Sequence, residues 1–444
     1  MNKEFHKKQN FFSFSDIDSE RKDRIMKFTS TEATPAPHVP PGVLRLTGAA
    51  KEDIPMYRIQ TMNKISPVGL NRFPSELYEV GDAVQDPQGI LVRSAKLLDL
   101  EFNPGLLAIA RAGVGVNNIP LDRCAAAGIP VFSTPGANAN AVKELVICAM
   151  LMGSRDIPGA IRWVREQAAS GADVSTVVEK GKSAFIGPEL YKKTLGIIGL
   201  GAIGSIVANT AISLGMDVYG YDPFLSVDTA LRLDRHVHVV KDINDLYKRS
   251  DYITMHIHYT EKTAHMIDAD AIAAMKRGVR VINLARGEIV DDEAMLTALD
   301  TGMVAAYITD FPNNRLLTAP HVIAMPHLGA STPESEQNCA AMAVDTLRDY
   351  LESGNIRSSV NLPEMTMDRS GVQRLCVLHK NVPGMLANIT SLFGRDGVNV
   401  ENLSNKSRGD YAYTMVDLGS KVGDNVIEDV RRTANVIRVR SLEW

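Results

Sequence analysis

Short apolar runs alternate with helical patterns from Tyr57 to about residue 310. Each run is rich in β-branched residues and ends in polar or glycine-rich residues, which is typical of parallel strands that pass into helices. The runs form two series, one at residues 89–93, 107–110 and 129–132 and another at 195–198, 217–222, 252–256, 280–283 and 304–308. The pattern predicts an α/β fold with two doubly wound, Rossmann-like parallel-sheet domains in series.

The pattern changes after a proline- and methionine-containing stretch at residues 355–370, which is typical of a linker. From residue 371 to the end, the order is strand, helix, strand, strand, helix, strand, at 373–378, 383–395, 398–403, 411–418, 424–433 and 435–439. This βαββαβ order predicts a third, ferredoxin-like domain.

Residues 1–55 differ from the rest of the chain. They contain isolated phenylalanines, alternating charges and a proline-rich run at 34–41, which favours extended backbone. We expect an unstructured extension, or a start codon assigned too far upstream of Met56. A mitochondrial targeting helix is the alternative, and acidic residues disfavour it at positions Glu4, Asp16, Asp18, Glu20 and Asp23.

Composition and charge exclude several classes of function. The chain has 444 residues, 45% of them hydrophobic, and 48 basic residues against 52 acidic ones give a net charge of −4. We therefore expect no nucleic-acid partner. The apolar stretch at 145–153 is about half of the ~20 residues that cross a bilayer, so we expect no membrane partner either. Four cysteines without a CxxC pair indicate a reducing cytoplasm.

A glycine motif follows the strand predicted at 195–198. Gly199, Gly201 and Gly204 stand at the spacing that lets a pyrophosphate approach the start of a helix, with Ala202 and Ile203 between them. Asp222 ends the next predicted strand, where a carboxylate binds an adenosine ribose and repels a 2′-phosphate. The motif predicts NAD as the cofactor rather than NADP.

Two further residues suit hydride transfer to or from a 2-hydroxy acid, which needs a cation for the carboxylate and a proton acceptor for the hydroxyl. Arg286 directly follows the apolar run 281–285, and His327 lies just beyond another apolar strand. Both are expected at the carboxyl ends of parallel strands, where open α/β sheets bind ligands.

These residues lie in blocks that resemble the D-2-hydroxyacid dehydrogenase family, and within it the short phosphoglycerate dehydrogenases with one C-terminal ACT domain. The matching blocks are residues 91–96, 111–118, 134–145, 199–204, 285–287 and 326–332. The resemblance implies a discontinuous substrate domain at 56–152 and 328–362, an NAD-binding domain at 153–327 and an ACT domain at 371–444.

The resemblance also implies roles for residues in the cleft between the first two domains. His327 would take the C2 hydroxyl proton of 3-phosphoglycerate, Arg286 would orient the carboxylate, and hydride would pass to NAD. His256 and Ala285 would join the cofactor site. The substrate's carboxylate or phosphate would be held by Arg93, Ser94, Gly113, Val114, Gly115 and Asn138.

One position departs from the family. A glutamate that usually hydrogen-bonds the catalytic histidine falls on Asn314 in this chain. An asparagine carries no charge to stabilise imidazolium, so His327 would be a weaker base. Asp310, reached through a local shift, is the alternative partner.

In the C-terminal domain, His379, Asn381 and Asn399 match the positions at which ACT domains of this family bind serine. The resemblance therefore implies feedback inhibition by serine, the pathway end product. An open sheet also leaves an edge strand that two copies can pair, so we expect a homodimer or homotetramer with the effector at the subunit interface.

Three functions stay open at this stage. The first is serine-pathway dehydrogenase activity. The second is reduction of glyoxylate, hydroxypyruvate or 2-oxoglutarate by the same chemistry. The third is a non-catalytic protein that senses a dinucleotide and an amino acid, with Asn314 marking lost activity. No metal is expected, because the HxH pairs at 236–238 and 256–258 lack further ligands.

Overall fold

The computed structural model describes residues 56–444; the extension predicted at 1–55 lies outside the described residues. The first sheet has five parallel strands in the order β2-β1-β3-β4-β5. Their bounds are β1 Tyr57–Met62, β2 Tyr78–Gly81, β3 Gly89–Val92, β4 Ala108–Arg111 and β5 Val131–Phe132. Strands β3 and β4 are buried along nearly all their length, which explains why they read as continuous apolar runs.

The second sheet has seven parallel strands in the order β12-β11-β10-β9-β6-β7-β8. They are β6 Thr194–Ile198, β7 Asp217–Tyr221, β8 Val237–Val240, β9 Tyr252–Met255, β10 Val279–Asn283, β11 Val304–Thr309 and β12 Val322–Ala324. The order reverses between β6 and β9, so the carboxyl ends of these two strands flank a crevice. The two parallel α/β units predicted from the sequence are confirmed.

Thirteen α-helices connect the strands in the described part of the chain. The first seven are α1 Pro67–Leu70, α2 Leu121–Ala126, α3 Ala139–Arg155, α4 Ile157–Ala169, α5 Val174–Gly181, α6 Ala202–Ser213 and α7 Val227–Arg232. The others are α8 Ile243–Arg249, α9 Ala269–Ala273, α10 Asp292–Asp300, α11 Pro333–Ser353, α12 Met385–Arg395 and α13 Asp424–Arg432. None of the helices between residues 56 and 444 is long and apolar enough to cross a membrane.

Two long helices pass between the first two sheets. Helix α3 packs Val146 and Met150 into the core of the seven-stranded sheet. It therefore belongs by packing to the second sheet, whereas the division expected from the sequence placed residues up to 152 with the first. Helix α11 returns the chain to the five-stranded sheet, where Val344 and Leu347 are buried. Its first turn is capped by Thr332, whose side chain accepts from the Ser335 N–H.

The third sheet has four antiparallel strands in the order β14-β15-β13-β16. They are β13 Gln373–Lys380, β14 Val400–Arg408, β15 Tyr411–Leu418 and β16 Val436–Glu443. The predicted βαββαβ order is confirmed, with α12 and α13 packed on one face.

The other face of this sheet packs on the core of the five-stranded sheet. Cys376, Leu378, Tyr413 and Met415 share one hydrophobic cluster with residues of β1 and α11. The Tyr413 hydroxyl donates to the carbonyl of Gly354, at the end of α11, over 2.7 Å. The C-terminal domain is thus docked on the first domain of the same chain, which element order alone does not reveal.

Candidate active site

The glycine turn after β6 adopts a backbone that requires glycine. Gly199 has φ +91°, and a Cβ there would lie 2.6 Å from the carbonyl oxygen of His256. A Cβ at Gly204 would lie 1.9 Å from the carbonyl oxygen of Gly199. A Cβ at Gly201 would meet no atom within 4 Å, so this point of the turn is open to a ligand. Helix α6 begins at Ala202 and continues through Ile203, so its free N–H groups face this opening.

Asp222 follows β7 and is held beside the same turn. One carboxylate oxygen accepts from the Leu200 N–H over 2.9 Å, and the other accepts from the Phe224 N–H over 2.9 Å. The backbone therefore fixes the carboxylate next to the glycine turn, where a ribose hydroxyl would meet it.

His256 lies across the turn, just beyond β9. Its N–H donates to the Ile198 carbonyl over 2.8 Å, and its Nε2 lies 3.2 Å from the Thr254 hydroxyl. Desolvation by burial lowers the pKa of His256 to about 3, so the ring is neutral near pH 7. A neutral ring suits a site for an anionic dinucleotide without adding charge.

Arg286 stands three residues beyond Asn283, the last residue of β10, and the Asn283 side chain braces the backbone around it. The Asn283 side chain accepts from the Ala285 N–H over 3.1 Å and donates to the Arg286 carbonyl over 2.8 Å. The guanidinium lies over the ring of Phe311, with Cζ 5.9 Å from its centroid.

His327 meets the same phenylalanine. The imidazole and the Phe311 ring have centroids 4.7 Å apart and planes inclined by 48°. Phe311 therefore packs against both Arg286 and His327 and brings the two predicted catalytic residues together. His327 is exposed on the wall of a cavity of about 790 Å³.

Two guanidinium groups meet at the glycine loop 113–115, and the backbone of a third arginine, Arg93, adjoins them. A Cβ at Gly115 would lie 3.0 Å from Nη2 of Arg286 and 3.4 Å from Nη1 of Arg111. Arg111 also donates from Nε to the carbonyl of Arg93 over 2.9 Å. Burial and the positive charges of Arg286 and Arg93 lower the pKa of Arg111. An anion bound here would relieve this repulsion.

Sequence reasoning missed Arg111, which was seen only as the start of a glycine-rich block. The position of Arg111 at the carboxyl end of β4 could have indicated its role. Strand β4 pairs with β3 in a register that puts Arg111 beside Val92, next to Arg93. It also missed Glu336 of α11, which pairs with Nη2 of Arg93 over 2.6 Å.

The remaining predicted substrate residues have the following positions. Gly113 and Val114 belong to the loop itself, with a Cβ at Gly113 only 3.2 Å from Nη1 of Arg111. Ser94 is exposed, and its N–H donates to Asn63 Oδ1 over 3.1 Å. Asn138 precedes α3, and its buried Oδ1 has no hydrogen-bond partner among the described residues.

Comparison with known proteins identifies the family. Residues 147–329 match the family model described as D-isomer specific 2-hydroxyacid dehydrogenase, NAD binding domain. The D-3-phosphoglycerate dehydrogenase of Haemophilus influenzae is 31% identical over 379 residues, which cover 82% of this chain and 88% of the relative. The chain belongs to the D-2-hydroxyacid dehydrogenase family. Its cofactor is NAD.

Two further members of the dehydrogenase family give the range of similarity. The D-3-phosphoglycerate dehydrogenase of Synechocystis sp. is 36% identical over 326 residues, 71% of this chain and 56% of the relative. The NAD⁺-bound 3-phosphoglycerate dehydrogenase of Entamoeba histolytica is 26% identical and superimposes with a TM-score of 0.54, over 69% of this chain and 99% of that one. The chain spans only 55–60% of the length of three of the curated relatives it matches.

The position of the usual family glutamate is occupied by an exposed asparagine in this dehydrogenase. Asn314 is exposed, and the cavity beside His327 is lined by Asp310 and Asn313 instead. The Asn313 side chain donates a hydrogen bond to the Asp292 carboxylate over 2.6 Å. The expectation that Asn314 orients the histidine therefore finds no support in the geometry.

The three predicted effector residues do not converge within one chain. His379 is buried, with Nδ1 2.8 Å from the Lys380 carbonyl and Nε2 2.8 Å from the Thr414 hydroxyl. Asn381 follows β13, whereas Asn399 precedes β14, and the two strands run in the same direction. The two asparagines therefore lie at opposite ends of the sheet. A site that uses both requires a second copy of the chain.

Proposed function

We propose that this protein is an NAD-dependent dehydrogenase that oxidises 3-phosphoglycerate to 3-phosphohydroxypyruvate, the first step of the phosphorylated route to L-serine. The observation that carries the proposal is the meeting of the Arg111 and Arg286 guanidiniums at one glycine loop, with Phe311 linking Arg286 to His327. The backbone of Arg93 adjoins Arg111. The names of the similar curated proteins support the same activity.

The arginine cluster argues for a substrate with two anionic groups. A single carboxylate needs one bidentate guanidinium, which Arg286 can supply beside the reacting carbon. Arg111 and Arg93 remain for a second anion, and Arg93 is already partly neutralised by Glu336. A 2-hydroxy acid with a phosphate group uses all three arginines, whereas glyoxylate would leave Arg111 charged and unpaired.

The reaction needs a proton acceptor at C2 and a hydride acceptor. His327 takes the hydroxyl proton as the C2–H bond breaks, and Arg286 holds the carboxylate so that C2 faces the cofactor. Bound NAD supplies the hydride acceptor. The loop before α3 approaches the cofactor turn, because a Cβ at Gly136 would lie only 3.3 Å from Ala202 at the start of α6.

The C-terminal domain is proposed to be an ACT domain that binds serine at an interface between two copies. Asn381 and Asn399 are exposed at opposite ends of the sheet, so two antiparallel copies would bring an Asn381 near a partner Asn399. Serine would then inhibit by stabilising that assembly. All four cysteines are free thiols, which suits the cytoplasm as the compartment.

The test is NADH absorbance with purified protein, using phosphohydroxypyruvate, glyoxylate, 2-oxoglutarate and pyruvate, each with and without L-serine. We expect selective turnover of phosphohydroxypyruvate, inhibition by serine and loss of turnover in His327→Ala. Faster turnover of glyoxylate than of phosphohydroxypyruvate would refute the proposed substrate. Bound NADH without turnover of any acid would refute the proposed enzyme activity.

A further inference from the structure

Asp310 is a buried carboxylate in the cavity of His327. It is only 1% exposed, at the carboxyl end of β11, and it lines the same cavity as the imidazole. Its Oδ2 accepts from the Gly329 N–H over 3.2 Å, so it is tied to the loop that carries His327. Its Oδ1 is buried with no hydrogen-bond partner among the described residues.

A buried carboxylate oxygen without a partner is costly and calls for a donor. Within the cavity the charged neighbours of His327 are His265, Glu288, Asp291, Asp292, Glu293 and Arg315, and Arg286 lies beyond Phe311. Several of these are already paired. Arg315 contacts Glu293, and His265 lies 3.9 Å from Asp291. His327 has no ion-pair partner within 4 Å in the described part of the chain.

We propose that Asp310 is the positioning residue for His327, with Oδ1 accepting the imidazole N–H when the ring turns toward it. The inference rests on the proposed function and replaces the glutamate that this chain lacks with a carboxylate from the preceding strand end. His327 is exposed, and catalytic hydrogen bonds commonly tighten only in the loaded enzyme.

The electrostatics agree with the geometry. Burial raises the pKa of Asp310, while the nearby His327 charge and the N–H of Gly329 act in the opposite direction. The carboxylate and the imidazole are therefore close enough for a charge on His327 to favour the ionised form of Asp310. An imidazolium formed by proton transfer from the C2 hydroxyl would gain this stabilisation.

The experiment compares Asp310→Asn, Asp310→Glu and the control Asp292→Asn, which removes another carboxylate from the same cavity. We expect Asp310→Asn to lower kcat for phosphoglycerate oxidation about 10- to 100-fold with little change in the KM for NAD. The acid limb of the kcat/KM profile should move to lower pH, because the histidine loses a neighbouring negative charge. In Asp310→Glu the acid limb should lie close to its wild-type pH. In Asp292→Asn it should not move.

A second readout does not depend on turnover. The pKa of His327, followed by NMR of ¹⁵N-labelled histidine in the apo and NADH-bound protein, should fall in Asp310→Asn and not in Asp292→Asn. The inference would be overturned if Asp310→Asn folds and binds NADH but changes neither the pH of the acid limb nor the pKa of His327. Failure of the wild type to turn over any hydroxy acid would refute the proposed function instead, and the NMR comparison would still decide the role of Asp310.

Discussion

Arg374 and Asp417 form a bidentate ion pair whose two side chains are fully buried. Nε and Nη2 of the guanidinium donate to the two carboxylate oxygens over 2.5 and 2.7 Å. The remaining donors bind backbone carbonyls of Ser353, Met367 and Asp368. One arginine of β13 therefore joins the C-terminal sheet to the end of α11 and to the linker between the domains.

Removing one partner of this pair should destabilise the protein strongly, because the other charge is left buried. We expect Asp417→Asn to lower the free energy of unfolding by about 3–5 kcal/mol. The control is Asp345→Asn, which breaks the equally bidentate but half-exposed pair with Arg72 and should cost no more than about 1 kcal/mol. Urea unfolding of the two variants measures both free energies. Equal losses of stability would show that burial of the Arg374–Asp417 pair does not increase the cost of breaking it.

Two glycines of the cofactor turn should respond differently to the same change. Gly204→Ala places a Cβ 1.9 Å from the Gly199 carbonyl, so we expect a lower melting temperature. Gly201→Ala places a Cβ in open space, so the fold should survive while the pyrophosphate loses its approach to the backbone. Melting curves and NADH fluorescence titrations separate the two effects. Unchanged NADH affinity in Gly201→Ala would show that the cofactor does not approach this point.

Arg111 should govern affinity for the phosphate-bearing substrate. We expect Arg111→Lys to raise the KM for phosphohydroxypyruvate about 10-fold or more, because a lysine cannot replace a bidentate guanidinium. Its KM for NADH should not change. The control is Arg123→Lys, which removes an arginine that donates to the Leu98 and Leu100 carbonyls and lies over the Phe102 ring. Similar KM values in both variants would exclude Arg111 from the anion site.

The parallel sheets could be predicted because central strands such as β3, β4 and β9 are buried on both faces, so their sequences are apolar runs between helices. That Arg286 and His327 lie near each other could also be predicted, since both come shortly after strands of one sheet. Their catalytic roles stay a prediction. Asp310 was harder to assign. Its position next to β11 was visible, but its burial and its tie to Gly329 depend on how the loop at 326–329 folds back.

The docking of the C-terminal sheet could not be predicted for a related reason. The alternation in β13 shows that Cys376 and Leu378 share one face, but not what covers that face. Residues of β1 and α11, which are distant in the sequence, cover that face. For the same reason, the separation of Asn381 from Asn399 emerged only from the strand directions.

His256 should make stability depend on pH between about 7 and 5. Burial lowers its pKa from 6.5 to about 3, so the unfolded chain binds a proton in this range and the folded chain does not. The resulting stability is present above pH 6.5 and is lost as the pH falls toward 3. Between pH 7 and pH 5, the free energy of unfolding of the wild-type protein should fall by about 1–2 kcal/mol more than that of His256→Gln.

Urea unfolding at both pH values measures the difference. The control is His258→Gln, at an exposed neighbouring position, which should behave as wild type. If His256→Gln and wild type show parallel losses, the ring is protonated in the folded protein, and a neutral histidine at the cofactor turn is excluded.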